Sequence, residues 1–239
     1  YQFIKPNMKK TVLLNALILM LGAQTYAQKK WIETPKGSYN LVQNKEGQTL
    51  GYSPKSGIKI IQVDGLAFKD LNKNGILDTY EDWRKPVAER AKDLATKMTV
   101  EQIAGLMLYS RHQAVPASEA GMFAGTYNGK LFSQSGVKAS DLSDQQIAFL
   151  TNDNLRHVLM TSVQSPVIAA EWNNNIQALV EGIGVGIPAN NSSDPRNGAN
   201  KDSEYNAGSG GSISQWPEEL GLAATFRSEE RRVGKECLR

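Results

Sequence analysis

Two stretches of the sequence carry side chains whose types and spacing could do chemistry. The first is the run from Asp70 to Glu81, in which oxygen-bearing side chains recur at alternate positions. The second is the polar run 190–194, which closely follows the apolar segment 184–187 and ends in Asp194. The first pattern is typical of a calcium-binding loop, and the second is typical of a ligand-binding strand end.

The run from Asp70 to Glu81 matches the EF-hand loop at each informative position, including Gly75 at the sharp turn. Calcium prefers six or more oxygen ligands, and this spacing supplies them from one short segment. The predicted ligands, with Ile76 contributing its main-chain carbonyl, are Asp70, Asn72, Asn74, Ile76, Asp78 and Glu81. We expect a structural calcium ion here. The alternative is a metal-free turn rich in Asn and Asp before a helix.

Asp194 is the candidate ligand-binding carboxylate of the second stretch. The glycine-bounded run before it predicts a buried strand over 185–189, so the polar residues follow where that strand should end. In an α/β barrel the carboxyl ends of the strands carry the active site. The alternative is a capped turn, because Ser, Asp, Pro, Asn and Gly all favour turns.

A strand–helix–strand unit is predicted to position Asp194. Residues 156–163 have the pattern of a strand, and Ser165 with Pro166 begins an amphipathic helix over 166–181. Together with the strand predicted at 185–189, they form a βαβ unit with parallel strands.

The preceding residues predict a β-rich lead-in, with strands at 38–42 and 57–63, and then three helices. The first helix begins at Pro86, with Val87, Ala91, Leu94, Ala95 and Met98 on one apolar face. The second begins at Thr99, which forms a capping box with Gln102, and it is expected to bury Ile103, Leu106 and Met107. The third begins at Ser143, which is expected to form a capping box with Gln146, and it ends near Asn152. Between the second and third helices, residues 110–137 are predicted to form a long surface loop in which the His112 side chain is solvated.

Charge and composition exclude several classes of protein. The net charge of +3 arises at the two ends: residues 1–27 contain three lysines and no acid, and residues 227–239 contain five basic and three acidic side chains. The residues between them are slightly acidic, so no basic surface for nucleic acid is expected. The only cysteine is Cys237, which leaves no pair for a disulfide.

The first and last residues have compositions unlike the rest of the chain. Met8 to Ala27 has a positive start, an apolar centre and small residues before Gln28, as in a signal peptide. Its apolar run is too short for a membrane anchor, so we expect a periplasmic or secreted protein with no membrane association after cleavage. The charged segment 227–239 is interpreted as a non-native tail; a charged helical terminus is the alternative.

With these segments in order, residues 64–226 resemble the amino-terminal part of glycoside hydrolase family 3, the β-glucosidase-like enzymes. The matching segments are 70–83, 86–107 with the junction 97–101, 165–197, and 216–226. The resemblance implies an α/β fold, the amino-terminal part of a (β/α)8 barrel that is incomplete in this chain. Together with the composition and patterns described above, it divides the chain into upstream residues and signal peptide (1–27), a β-rich lead-in with the calcium loop (28–85), a partial barrel (86–226) and the tail (227–239).

The resemblance also implies a function, an exported retaining exo-β-glucosidase acting on β-glucosides and oligosaccharides, with Asp194 binding the terminal sugar. The family's nucleophile and acid/base carboxylates are expected downstream of Phe226, so no catalytic residue is assigned and the chain alone is expected to be inactive and poorly soluble. Glu171, Asp202 and Glu218 are interpreted as solvated. No cofactor for catalysis is expected. A non-catalytic, calcium-dependent interaction module is the alternative, and the oligomeric state is left open.

Overall fold

The computed structural model describes residues 28–121, 124–193 and 224. Its first part contains a three-stranded antiparallel sheet and a separate hairpin. The strands are β1 (Trp31–Lys36), β2 (Tyr39–Asn44) and β3 (Thr49–Tyr52) in the sheet, then β4 (Lys59–Val63) and β5 (Leu66–Asp70) in the hairpin. The predicted β-rich lead-in is therefore confirmed, with three more strands than the sequence indicated.

Two local features build this lead-in. Asp64 and Gly65 connect β4 to β5 with φ values of 54° and 83°, the left-handed pair that a two-residue hairpin turn requires. The buried side chain of Asn44 then joins the sheet to the hairpin, because its amide donates to the Ala67 carbonyl at 3.1 Å and accepts from the Ala67 amide at 2.7 Å. Both polar groups of Ala67 are thereby satisfied in the interior.

The second part is a parallel three-stranded sheet in the order β6-β7-β8, with its helices. The strands are β6 (Tyr109–Val115), β7 (His157–Val163) and β8 (Asn190–Ser193). The helices are α1 (Val87–Lys97), α2 (Val100–Leu106), α3 (Phe132–Ser135), α4 (Asp144–Thr151) and α5 (Pro166–Glu181). Because α5 connects β7 to the parallel strand β8, the predicted strand–helix–strand unit is present.

The hydrophobic core lies between this sheet and α4 and α5. Its buried members are Val115, Leu150, Leu155, Val158, Val163, Trp172, Ile176 and Val180. Trp172 is 1% exposed, and its indole Nε1 donates to Oε1 of the buried Gln146 at 3.1 Å. Gln146 also closes the capping box with Ser143 that the sequence predicted, so the start of α4 and the middle of α5 share one buried polar contact.

The capping box of α2 is confirmed, with Thr99 and Gln102 bonded reciprocally. The predicted burial of α2 is wrong for Ile103 and Met107, which are 44% and 83% exposed, whereas Leu106 is half-buried. No residue of α1 is fully buried, and Val87 is 77% exposed. Helical periodicity identified both helices correctly, but it does not specify which residues of an apolar face another element covers.

The predicted surface loop over 110–137 is also wrong in its first part. Residues up to Val115 form β6, which pairs with β7, and Ala114, Val115, Ala117 and Tyr127 are buried. His112 therefore lies half-buried on a strand rather than on a solvated loop. The strand escaped recognition because Ser110 to Gln113 is polar throughout, without the alternation typical of a half-buried strand.

The position predicted for the last strand, 185–189, is wrong, because β8 begins only at Asn190. Gly184 and Gly186 have φ values of 58° and 69°, and the Gly186 amide donates to the Ile183 carbonyl, so this apolar segment turns instead of extending. The polar residues that we expected beyond the strand thus form the strand itself. They pair with β7 from His157 to Met160.

The described residues form a mixed α/β structure with small sheets and no closed barrel. The α/β part of the predicted fold class is therefore confirmed, while the complete barrel architecture is not tested. Within the described ranges, no helix has the length and apolar character needed to cross a membrane.

Candidate functional site

The carboxyl ends of β6, β7 and β8 meet at one edge of the parallel sheet. The strands end at Val115, Val163 and Ser193, and the Gln164 amide donates to the Val115 carbonyl at 3.2 Å. Asp194 follows Ser193 directly in the sequence but lies outside the described residues, as do Asp202 and Glu218. The structure therefore describes the strand that leads to the candidate carboxylate, and it leaves the position of that carboxylate untested.

Contacts from α5, from β6 and from the residue before β7 hold β8 in its register. The Asn191 amide donates to Oδ1 of Asn173 on α5 at 2.5 Å, and the Tyr109 hydroxyl on β6 shares a short hydrogen bond with the Ser192 hydroxyl. The Asn190 amide nitrogen donates to the Arg156 carbonyl at 2.7 Å. The polar composition of β8 is thus used for hydrogen bonds to its neighbours.

The loop Asp70–Glu81 leads from β5 toward α1. The buried Asp70 carboxylate accepts the amide nitrogens of Asn74 and Gly75, both at 3.0 Å. The buried Glu81 carboxylate accepts those of Leu71 and Asp78, at 2.7 and 3.0 Å. Gly75 has a φ of 77°, as the sharp turn at loop position 6 requires. The two ends of the loop are therefore joined by Glu81.

The donor types of this loop fit calcium, but the arrangement does not form a ready cage. Asp78 accepts the Lys97 ammonium at 2.8 Å and the side-chain amides of Asn72 and Asn74 at 2.6 and 2.9 Å. Within the described part of the chain, no three or more His, Cys, Asp or Glu side chains form a group that could hold a metal. Carboxylate and amide oxygens suit calcium, so the expected metal stays a prediction.

Helix α1 attaches to this loop through its polar side. Asp93 accepts the Tyr80 amide at 3.0 Å, Arg90 Nε donates to the Tyr80 carbonyl at 3.0 Å, and Lys97 pairs with Asp78. These three residues lie on one face of α1. These contacts fasten α1 to the loop.

The pKa values of Glu81 and Asp78, the last two carboxyls of the loop, shift in opposite directions. Burial raises the pKa of Glu81, although backbone amides partly stabilise the ionised form. Burial also acts to raise the pKa of Asp78, but hydrogen bonds from Lys97, Asn72 and Asn74 outweigh it and leave that pKa below its ordinary value. Lys97 therefore takes the role of counterion to Asp78.

The other carboxylates near the sheet are engaged in structural contacts. Glu181, at the end of α5, pairs with Lys69 and accepts the Ser53 amide at 3.3 Å. Glu171 is exposed and accepts the Ser140 hydroxyl at 2.9 Å. Both side chains therefore serve structural contacts in the described part of the chain, and no catalytic role is assigned to either.

The structure also contains a cleft that the sequence did not indicate. It lies between the lead-in and α5, has a volume of about 630 Å³, and is lined by Tyr39, Tyr52 and Trp83 together with Lys55, Asn174 and Glu181. These residues come from segments up to 142 positions apart, so no local motif could have identified them. Only folding brings them together.

Comparison with known proteins shows which proteins this chain is related to. It is 39% identical over 168 residues to a periplasmic beta-glucosidase/beta-xylosidase of Dickeya chrysanthemi, a match covering 70% of this chain and 23% of that protein. It is 31% identical over 157 residues to a probable beta-glucosidase C of Aspergillus oryzae, covering 64% of this chain and 21% of that protein. No family model matches the chain.

A further relative is beta-glucosidase C of Emericella nidulans, 31% identical over 167 residues, which cover 67% of this chain and 23% of that protein. The chain thus spans less than a quarter of the length of the curated relatives that it matches. All of these relatives carry glycosidase names, which does not favour a non-catalytic interaction module. From the extent and identity of these matches we conclude that the chain belongs to the β-glucosidase-like proteins of glycoside hydrolase family 3.

Proposed function

We propose that this chain is the amino-terminal part of an exported, retaining exo-β-glucosidase that removes terminal non-reducing β-D-glucosyl residues from oligosaccharides. The observation that carries the proposal is the 39% identity over 168 residues to a protein named as a periplasmic beta-glucosidase/beta-xylosidase. That name supports the glycosidase class and an exported location. It includes two sugars, so a preference for glucose over xylose belongs to our proposal.

Asp194 is proposed to bind hydroxyl groups of the terminal sugar. A carboxylate suits this role because it can accept hydrogen bonds from two neighbouring hydroxyls at once. The proposal is supported by β8, which ends at Ser193 on the edge where three parallel strands terminate, the edge that carries active sites in α/β barrels. The hydrogen bond between Asn191 and Asn173 would help to hold this segment in place.

The nucleophile and the acid/base carboxyl are proposed to lie downstream of Phe226, so the chain alone would be inactive. In a retaining mechanism, one carboxylate attacks the sugar to give a glycosyl-enzyme intermediate, and the other protonates the leaving group and then activates water. Two observations support a missing remainder. The match covers 23% of the first relative, and apolar side chains on α2, on β6 and between them are exposed, among them Val100, Met107 and Tyr109.

The loop Asp70–Glu81 is proposed to hold a structural calcium ion through the six residues that the sequence identifies. The ion would fasten the end of β5 to the start of the segment leading into α1, and no catalytic step would involve it. The chain's own contacts already make this connection through Glu81 and through the ion pair of Lys97 with Asp78. Calcium would have to displace that ammonium to use both oxygens of Asp78.

Hydrolysis of 4-nitrophenyl β-glucoside and β-xyloside by the full-length gene product tests the function. We expect the glucoside to be preferred, and Asp194→Asn to lower kcat/KM by about a hundredfold, as loss of charge-assisted hydrogen bonds predicts. Asp202→Asn serves as the matched control. Inactivity of the full-length protein on both substrates would refute the glycosidase proposal. Activity of the soluble 239-residue chain would refute the proposal that it is an inactive fragment.

A further inference from the structure

The cleft between the lead-in and α5 has the chemistry of a binding site for a neutral sugar chain. We name it the lead-in cleft and define it by Tyr39, Tyr52, Lys55, Trp83, Asn174 and Glu181. Its volume of about 630 Å³ lies within the usual range of ligand pockets. The residues from α5 belong to the second half of that helix, near the beginning of β8, because Gln177 bonds both backbone groups of Ala189.

Two aromatic side chains in the cleft are fixed by hydrogen bonds. The Tyr52 hydroxyl donates to Oε1 of Glu33 at 2.5 Å and accepts from the Asn40 amide at 3.0 Å. The Trp83 indole donates to the Ala67 carbonyl at 3.1 Å, and its ring stacks on Phe68 with centroids 5.1 Å apart. Because their polar atoms are committed elsewhere, these side chains offer the cleft mainly rigid apolar surface.

The charged groups that line the cleft are of both signs, and two of them form an ion pair. Glu181 pairs with Lys69 at 2.5 Å, and its other oxygen accepts the Ser53 amide. Glu81 accepts backbone amides, and Arg90 Nε donates to the Tyr80 carbonyl. An ionic ligand of either sign would therefore lie close to a charge of its own sign and would displace hydrogen bonds that the protein already makes, which argues for a neutral ligand.

Three polar groups of the cleft have no side-chain hydrogen bond or ion pair to another described residue: the Tyr39 hydroxyl, the Lys55 ammonium and the Asn174 amide. Tyr39 is 43% exposed and Asn174 is also exposed, so both can reach a ligand without rearrangement of the core. The three groups supply both donors and acceptors. They complement the apolar surface offered by Tyr52 and Trp83.

We infer that the lead-in cleft binds a neutral pyranose oligosaccharide. A pyranose has an apolar face of C–H groups that can lie against an aromatic ring, and hydroxyls around its rim that need hydrogen-bonding partners. The cleft presents these two kinds of surface together, with fixed rings beside uncommitted polar groups. This inference goes beyond the proposed hydrolysis and does not require it, because it rests on the lining residues alone.

Native gel electrophoresis tests the inference. The full-length gene product is run through gels with and without soluble β-glucan, and cellotetraose is added as a competitor. We expect the polysaccharide to retard the protein and cellotetraose to reverse the retardation. Tyr39→Ala and Asn174→Ala should each weaken apparent binding by roughly tenfold, which corresponds to ~1.4 kcal/mol. Ile32→Ala, which removes an exposed apolar side chain on β1 that does not line the cleft, is the control and should leave retardation unchanged.

Three results would overturn the inference. The first is that the polysaccharide does not retard the wild-type protein. The second is that neither Tyr39→Ala nor Asn174→Ala changes the retardation. The third is that Lys55→Met and added salt abolish the retardation while Tyr39→Ala does not, which would indicate an ionic contact. The outcome is independent of hydrolysis. If the cleft variants lose retardation while their kcat/KM on the aryl glucoside stays within about twofold of wild type, the cleft binds the polysaccharide separately from the hydrolytic site. An inactive protein that still shows cleft-dependent retardation refutes the proposed function and leaves the cleft supported.

Discussion

The ammonium nitrogen of Lys69 lies 2.5 Å from Oε1 of Glu181, joining the hairpin of the lead-in to the last residue of α5. The two residues are 112 positions apart in the sequence, and their side chains are only 24% and 14% exposed. Partly buried ion pairs are sensitive to removal of one partner, because the other charge then remains desolvated. This contact therefore couples the stability of the lead-in to that of the parallel sheet.

Glu181→Gln should destabilise the protein by about 1–2 kcal/mol, because Lys69 would lose its counterion while still partly buried. Urea unfolding followed by tryptophan fluorescence measures this change. Glu89→Gln, on the exposed first turn of α1, is the control and should stay within about 0.5 kcal/mol of wild type. Equal effects of the two substitutions would show that the Lys69–Glu181 contact contributes nothing specific.

Arg156 is a buried cation whose described partners are carbonyl oxygens. Its guanidinium donates to the carbonyls of Leu150 and Leu155, both at 2.8 Å, and to that of Ile187 at 3.1 Å, and burial lowers its pKa. Arg156→Ala would leave these acceptors unsatisfied inside the protein, so we expect a loss of about 2–4 kcal/mol. Denaturant midpoints provide the measurement.

The exposed Arg111 on β6 is the matched control for this substitution. Arg111→Ala removes the same side chain from a solvated position and should change the free energy of unfolding by less than about 0.5 kcal/mol. If Arg156→Ala had an equally small effect, the three hydrogen bonds to carbonyl oxygens would be replaceable by water, and the arginine would not be what holds the segment before β8.

Asp144 predicts a specific loss of stability in acid. Its carboxylate accepts the amides of Gly129 and Asn128 at 2.8 and 2.9 Å and the Thr126 hydroxyl at 2.7 Å. These bonds, led by the one from Gly129, lower the pKa of Asp144 in the folded protein. A lowered carboxyl pKa contributes stability that is complete above the unfolded value of about 3.9. It is lost as the pH falls from there through the folded pKa.

The free energy of unfolding of Asp144→Asn should therefore be lower than that of wild type at neutral pH, and the two should converge as the pH falls below about 4. Chemical unfolding at a series of pH values between neutral and strongly acidic checks this. Asp153→Asn, an exposed substitution beyond the end of α4, should run parallel to wild type. A constant difference between Asp144→Asn and wild type at every pH would contradict the linkage.

Calcium binding by the loop Asp70–Glu81 can be measured as a change in thermal stability. If the loop binds calcium, an excess of about a hundredfold over Kd should stabilise the folded state by about 2.7 kcal/mol relative to a chelator. Asp70→Asn should remove this response, since a carboxylate ligand is lost. Asp64→Asn, an exposed carboxyl outside the loop, is the control and should keep the response.

The substitution Lys97→Met tests whether the Lys97 ammonium and calcium compete for the Asp78 carboxylate. Removing the ammonium that pairs with Asp78 should strengthen the calcium response if the ion and Lys97 compete for this carboxylate. A melting temperature that is the same with calcium and with chelator, in both wild type and Lys97→Met, would identify the loop as a metal-free turn held by its own hydrogen bonds.

Local sequence patterns were sufficient wherever a structure is stabilised by residues close in the chain. The capping boxes at Thr99 and Ser143, the helix from Pro166 to Glu181 and the strand over 157–163 were all predictable for that reason. The motif of the loop after β5 was equally visible, because a sharp turn with side-chain oxygens at fixed spacing is a local property. The polar residues that lead up to Asp194, as far as Ser193, could be identified from the sequence as neighbours of the candidate site, but their position in the sheet could not.

What only the tertiary structure decided depends on partners distant in the sequence. Strand β6 is polar for four residues and forms because β7 supplies its hydrogen bonds, and β8 begins at Asn190 because the glycines before it turn the chain. The apolar faces of α1 and α2 were predictable, but the exposure of Val87 and Ile103 was not, since burial requires another element to cover them. The lead-in cleft likewise has no sequence signature. Its walls come from segments more than a hundred residues apart, and the sequence does not state which distant surfaces will meet.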